Sequence, residues 1–328
     1  MRVAITGSSG FIGSRLVDHL SRDASVEKIV GLDVVPPRET SAKLSFVKQD
    51  VTQPMDRVFQ EHGVDAAMHL AFVLDPMHDQ ARETSINVVG TENFARACEA
   101  SGVKTVVLAS SGTAYGAHPD NPVPLREEHP LRGNANYIYS RDKVKQEEIL
   151  AGFAQRNPEA RVAVLRPAVV LGPHVSNFMS RMVRHGTVYA SSAENPPWQF
   201  VHEEDTGRAF AHALLQRAHG AFNVGAEGAL TLDEIGRLAG AKVVKLWPWA
   251  LKAATSLGWM LRMTSLTEAP AGVLSFLRFP WVVDPSKFVR ETGFRYEHDS
   301  RGALMSFLES AGLAERGRQK EGKVAVGA

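Results

Sequence analysis

The sequence predicts an α/β protein: a Rossmann-type doubly wound parallel sheet with a smaller, mostly C-terminal substrate-binding region. Two observations carry that prediction. Short apolar runs alternate with longer helical patterns through the first half of the chain, and the first run ends in a glycine-rich turn that opens a helix. The runs are RVAIT (2–6), KIVGL (28–32), LSFVK (44–48), DAAMHLA (65–71), TVVLAS (105–110) and RVAVLR (161–166), each bounded by Gly, Asp, Ser or Pro. Continuously apolar strands joined by helices belong to a sheet covered on both faces. Between them, Phe11, Ile12, Leu16, Val17 and Leu20 fall close to helical spacing over 11–22. Further helices are expected over 81–101, from about 136 to 156, and over 205–217, with GAFNV (220–224) as a late strand.

Glycine, proline, serine and asparagine cluster at 172–177 and 191–197, so loops are expected there, and several helices thereafter. This divides the chain into a nucleotide-binding part, 1–170 plus about 202–224, and a substrate-binding part, 171–201 plus 225–314. The small, charged residues 315–328 read as a mobile tail. The segment 245–263, KLWPWALKAATSLGWMLRM, reads first as a helix packed on a core, with Lys252, Thr255, Ser256 and Arg262 near one face and Leu251, Ala254, Leu257 and Leu261 elsewhere. The same composition suits peripheral membrane contact through 246–263, or the wall of a greasy cavity.

Composition narrows the classes. Of 328 residues, 44% are hydrophobic and 22% charged, the balance of a globular protein rather than a disordered or coiled one. The net charge of +1 and the lack of a basic stripe speak against a nucleic-acid partner. A single cysteine, Cys98, cannot close an internal disulfide, and it reads as packing in a helix rather than as a nucleophile. Glycine arrives too early in MRVAITGSSGFIG for a signal peptide's apolar stretch, and no run reaches the ~18 apolar residues of a spanning helix. The expectation is a cytoplasmic protein. The twelve histidines show no metal-ligand spacing, so no metal site is expected, and His69 and His202 read as structural.

The chemistry is concentrated in three places. TGSSGFIG puts Gly7, Gly10 and Gly13 at the first strand-to-helix turn. Gly7 permits the tight turn, Gly10 a close approach of backbone to a pyrophosphate, and Gly13 the packing of helix on sheet. Backbone N–H groups and the positive helix end then face phosphate. Asp33 lies 20 residues past Gly13, where a carboxylate accepts both ribose hydroxyls and repels a 2′-phosphate; this favours NAD over NADP, with Arg38 as the competing influence. Second, Tyr139 and Lys143 stand four apart in YSRDK, on one helical face. An ammonium beside the phenol is expected to lower its pKa from near 10, so that the pair can exchange a proton with a substrate hydroxyl or carbonyl. Tyr137 competes, but its partner at that spacing is Arg141, whose guanidinium does not exchange protons. Third, Ser110, Ser111 and Thr113 follow the strand TVVLAS, at the sheet edge where ligands of open α/β folds bind.

In these pieces the chain resembles the extended short-chain dehydrogenase/reductases of the NAD-dependent epimerase/dehydratase type. The matching stretches are TGSSGFIG (6–13), LD (32–33), QDV (49–51), HLA (69–71), NVVGTENFARACEASG (87–102), ASSGTAYG (109–116), YSRDK (139–143), LRPAVVLGP (165–173), FVHEEDTGRA (200–209) and FNVG (222–225). The resemblance implies that Tyr139 is the catalytic acid/base, that Lys143 binds the nicotinamide ribose, and that Ser111 is the catalytic hydroxyl with Thr113 facing substrate. It further implies a NAD site of Gly7, Gly10, Phe11, Ile12, Gly13 and Asp33, with Asp50 and Val51 beside adenine and Leu70 and Ala71 along the phosphate–ribose path. Asn87, with Pro167 to Val169, falls beside the nicotinamide half. A homodimer through the helices near 81–101 and 136–156 is also implied.

Two departures narrow the substrate. Ser111 is followed by Gly112 and Thr113, where sugar-nucleotide dehydratases carry an acidic pair. Trp198 stands two residues before Phe200, where sugar-nucleotide enzymes tend to carry arginine. With Phe178, Met179 and Met182 nearby, an uncharged or greasy small-molecule substrate is favoured, although Arg181 or Arg184 could meet a diphosphate. Three readings follow: an oxidoreductase acting on a secondary alcohol or carbonyl, a nucleotide-sugar 4-epimerase with retained NAD, and a non-catalytic dinucleotide-binding sensor. The Tyr139/Lys143 pair counts against the last.

Overall fold

The computed structural model describes residues 1–38, 40–264 and 267–314, so the expected tail at 315–328 lies outside the described residues. The first half of the chain builds β1 (Arg2–Thr6), α1 (Phe11–Arg22), β2 (Lys28–Asp33), β3 (Leu44–Lys48), α2 (Asp56–His62) and β4 (Ala66–His69). Next come α3 (Gln80–Thr84), a π-helical turn over Ser85–Val89, α4 (Gly90–Ala100), β5 (Thr105–Ala109) and α5 (Ile138–Arg156). The predicted helix over 81–101 is therefore one helical rod with a π insertion at its centre. β6 (Arg161–Pro167), β7 (Val169–Leu171), α6 (Phe178–Arg184), β8 (Thr187–Ser191), β9 (Pro197–Trp198), β10 (Phe200–His202), α7 (Glu203–Leu215) and β11 (Gly220–Val224) follow. The remainder contains β12 (Leu230–Thr231), α8 (Leu232–Leu238), β13 (Lys242–Leu246), α9 (Pro248–Met260) and further short helices ending in Ser300–Ser310.

Seven strands form one parallel sheet in the order β11-β6-β5-β4-β1-β2-β3. Chain order reverses between β1 and β4, which creates the crevice where doubly wound folds hold ligands. Strand period splits the core: Val3 and Ile5 point into one apolar layer with Leu16, Leu20 and Phe210, while Ala4 points into the other with Phe59, Phe94 and Phe153. Burial on both faces explains why these runs read as continuously apolar. Cys98 is packed in the second of these layers. A third apolar cluster gathers Leu171, Met179, Met182, Trp198, Phe200, Leu251, Phe276, Trp281 and Phe307 beside the carboxyl edge of the sheet.

The turn after β1 is dictated sterically. Gly7 has φ +71, and a Cβ there would sit 2.7 Å from the Ala71 nitrogen, so the loops leaving β1 and β4 touch at this glycine. A Cβ on Gly13 would meet the Gly7 carbonyl oxygen at 2.2 Å, and Ser8 at 2.9 Å. Both contacts are backbone and have little room to yield.

Helix α9 differs from its expected orientation. Thr255 is buried with Leu251 and Gly258, whereas Leu257 faces solvent at 50% exposure, as do Trp249 at 73% and Met260 at 69%. The predicted polar face is thus split, because a helix that is apolar nearly all round gives no sign of which side is outward.

Gly13→Ala should cost roughly 1–3 kcal/mol through overpacking against fixed backbone. Denaturant unfolding of the purified variant measures this, and wild-type stability would contradict the close contact.

Candidate active site

A cavity of about 400 Å³ opens at the carboxyl edge of the sheet, over the β1–β4 crevice. Its floor is Gly7, Gly10, Phe11, Ile12 and Gly13, with Leu70 from the loop after β4. Gly10, the residue before α1, offers no side-chain cap and leaves the helix's first N–H groups for a ligand. One wall carries Ser110, Ser111, Thr113, Tyr139 and Lys143; another carries Pro167, Ala168 and Val169. The far end is apolar: Phe178, Met179, Trp198, Phe276 and Trp281. Trp198 and Trp281 meet edge to face at 5.5 Å, and Phe276 packs edge-on to Trp281 at 5.2 Å.

Helical spacing brings Tyr139 and Lys143 to one side of α5, but the ammonium has its own partners. Lys143 Nζ donates to the Ala109 carbonyl at 2.7 Å and to Gln146 Oε1 at 3.0 Å, and it lies 3.6 Å over the Phe72 ring. The Tyr139 ring centroid is 5.8 Å from Nζ, and its ring stands edge-on to Phe72 at 4.9 Å. Burial pushes the Tyr139 phenol above its ordinary value, and the Ser111 hydroxyl pulls it back. The expected lowering by lysine is therefore not found: desolvation dominates, and the ammonium is turned toward other acceptors. Lys143 itself is brought down to about 7 by burial, with Glu147 and Asp142 opposing.

Hydroxyl roles also separate. Ser110 donates to Glu147, while Ser111 Oγ accepts from the Thr113 N–H at 3.2 Å and lies beside the phenol. Tyr137 is the residue preceding α5; it stacks on Tyr139 at 5.9 Å and its own phenol is pushed up by burial. Arg141 turns away to Thr84 and Asp142.

A chain of buried hydrogen bonds links Lys143 to the turn after β1. Thr91 Oγ1 spends its one proton on the Asn87 carbonyl at 2.6 Å, so it accepts from Gln146 Nε2 at 2.8 Å and from His69 Nε2 at 3.0 Å. His69 Nδ1 then carries no proton and accepts from Thr6 Oγ1 at 2.7 Å. Burial, with Lys143 nearby, holds this imidazole neutral, down to about 3. Behind the same wall, Arg166 pairs with Glu147 at 2.7 Å and donates to the Tyr115 hydroxyl at 2.7 Å. Gln146 and Glu147 lie three and four residues after Lys143, so helical spacing could have found them. Nothing local in the sequence announces Phe72, Phe276 or Trp281.

Most other predicted residues sit away from the cavity. Asn87 lies in the π-helical turn, where its side chain accepts from the Val73 N–H at 2.9 Å and donates to Asp142 at 3.2 Å. Asp50 accepts from Thr52, and Val51 packs over Gly90. Ala71 closes the approach at Gly7. Asp33 Oδ2 accepts from the Ser9 N–H at 3.0 Å, and Oδ1 from the Val35 N–H at 3.1 Å. Met182 is core, not lining. His202 bonds Ser306 and stacks on His298 at 3.9 Å. Arg181 reaches the cavity but is tied to Asp75 at 2.6 Å and Glu268 at 2.5 Å, and Arg184 lies over Phe307 instead.

The fold and this site define a class. The model of the NAD dependent epimerase/dehydratase family matches residues 3–225, and the chain belongs to that family. Over 319 residues the chain is 26% identical to the uncharacterized protein Rv0501 of Mycobacterium tuberculosis, covering 95% of this chain and 84% of that one. Over 186 residues it is 33% identical to the UDP-glucose 4-epimerase of Mycolicibacterium smegmatis, covering 53% of this chain and 57% of the relative. The Thermus thermophilus UDP-glucose 4-epimerase, solved with NAD, superposes with a TM-score of 0.74 at 23% identity, over 95% of this chain and 99% of the other.

Replacing Lys143 by Met tests the buried cation. An unfolded lysine titrates near 10.5 and the folded one at about 7, so between these values the unfolded chain holds the extra proton and this group's contribution to stability rises with pH. The gain in melting temperature of Lys143→Met over wild type should be larger at about pH 6 than at about pH 9.5. An equal difference at both would contradict a desolvated lysine.

Proposed function

We propose that the chain binds NAD in this crevice and interconverts a secondary alcohol and its carbonyl, with Tyr139 as acid/base. The residues present fit a dinucleotide: Gly7, Gly10 and Gly13 line the cavity without side chains, and the uncapped start of α1 offers N–H groups to phosphate. Asp33 would take the adenosine ribose, and Lys143 the nicotinamide ribose. Bound there, NAD supplies the hydride acceptor or donor. The chain's own groups handle the proton: Tyr139 Oη takes it from the substrate hydroxyl in oxidation and returns it in reduction. Ser111 donates a hydrogen bond to the same substrate oxygen, which develops negative charge as that proton leaves.

One observation carries the choice of substrate class. Among the described residues lining the cavity the cations are Lys143, already hydrogen-bonded, and Arg181, paired with two carboxylates, while the rest of the far end is mainly aromatic or aliphatic, with Ser176 and Asn177 as uncharged polar groups. A diphosphate entering there would have to break the Arg181 pairs. An uncharged alcohol or ketone would not. A nucleotide-sugar 4-epimerase is the second reading, favoured by the mycobacterial relative of that activity. An epimerase oxidises and re-reduces one substrate on a cofactor that it keeps; a dehydrogenase releases NADH in net turnover.

Tyr139→Phe should lower turnover by about 10²- to 10⁴-fold while leaving NAD affinity close to wild type. A substrate panel followed by NADH absorbance, with calorimetric titration of NAD, measures both. Activity retained in the variant removes Tyr139 from the chemistry.

A further inference from the structure

Helix α9 presents the wrong face to water. The positions facing outward recur at helical spacing as Trp249, Lys252, Ala253, Ser256, Leu257 and Met260, so the stripe that a surface helix normally makes polar is largely apolar here. The chain on either side continues it: Trp247 is 65% exposed, Leu261 57% and Met263 45%. Three of the chain's five tryptophans fall between 247 and 259, although the whole sequence is 328 residues long. Exposed indoles cluster where one side of a ring is to leave water. Single exposed apolar side chains need no explanation, but a contiguous patch of this kind marks an interaction surface.

Charge selects the occupant. From 247 to 263 the charged residues are two cations, Lys252 and Arg262, with no Asp or Glu, in a chain whose net charge is only +1; the nearby Lys245 is paired with Asp233 at 2.7 Å. Lys252 lies among the exposed apolar groups of α9, and Arg262 just beyond its end. Long cationic stems among tryptophans suit the headgroup layer of an anionic bilayer, where ring and stem enter the acyl boundary and the charge stays with phosphate. A second copy of this chain would bring the same cations against themselves, and like charges in contact disfavour pairing.

We propose that α9 with its flanks, 247–263, is a docking surface for the face of an anionic phospholipid bilayer. The helix lies on the surface rather than crossing: it has 13 residues, and among the described residues no helix is long and apolar enough to span. The surface also adjoins the cavity. His78 stacks on Trp259 at 4.0 Å, tying α9 to the loop whose Leu74, Asp75 and Pro76 line the cavity. Docking therefore brings a lipid phase beside a cavity with an apolar far end. The docking surface stands independently of the redox chemistry proposed above.

Co-sedimentation of the full chain with vesicles tests the docking. With vesicles of equal parts phosphatidylcholine and phosphatidylglycerol the chain should pellet, and the bound fraction should fall with added salt and with phosphatidylcholine alone. Trp249→Glu combined with Leu257→Glu should weaken binding by about tenfold or more, at an unchanged helical circular-dichroism spectrum. Lys252→Glu leaves every apolar side chain in place, so its weaker binding keeps the test valid if the double variant unfolds. Failure to pellet with the anionic vesicles overturns the proposal. So does equal binding to both vesicle types, or light scattering in which the double variant only turns an oligomer into a monomer.

Discussion

Lysine 143 is a cation placed where water cannot reach it, and the rest of the site is organised around that fact. Burial of an ammonium is tolerated only with fixed partners. The Ala109 carbonyl, Gln146 and the Phe72 ring supply them, and Glu147 and Asp142 supply opposing charge. Each partner is held in turn. Gln146 is fixed by Thr91, Thr91 by Asn87 and His69, and His69 by Thr6 at the end of β1. The Lys143 side of α5 and the end of β1 are thereby joined by one buried polar network.

That arrangement also explains the apolar character of the cavity. A site that already contains one desolvated cation gains little from a second free one. Arg181 is neutralised by Asp75 and Glu268 at the cavity wall, and Trp198, Trp281 and Phe276 close the far end through edge-to-face contacts. On the proposed function, the substrate end would select by shape and by contact with aromatic rings, with polar recognition concentrated on the Tyr139 side.

Much of this was legible in the sequence, for identifiable reasons. The parallel strands announced themselves because both faces are buried, which erases alternation and leaves runs such as TVVLA. The glycine turn was legible because only glycine fits at Gly7 and Gly13. Tyr139 and Lys143 were legible through a four-residue spacing. What escaped depends on contacts between distant segments. The phenol's upward shift comes from its burial, which depends on how the chain folds around it and which no local window contains. Phe72 over Lys143, and Trp281 against Trp198, are joined only by the fold. The outward side of α9 escaped because periodicity locates a face, not the neighbour that covers it.

The central claim is that the buried ammonium and a bound dinucleotide together turn a reluctant phenol into a working acid/base. Ultraviolet difference titration of wild type against Tyr139→Phe, with and without NAD, isolates this one tyrosine. The account predicts ionisation above the ordinary value of 10.0 in the protein alone and at distinctly lower pH once NAD is bound; that fall requires NAD also to hold Lys143 protonated above its value of about 7, so Lys143→Met abolishes most of it. An identical titration with and without NAD, or a fall that survives in Lys143→Met, would contradict it.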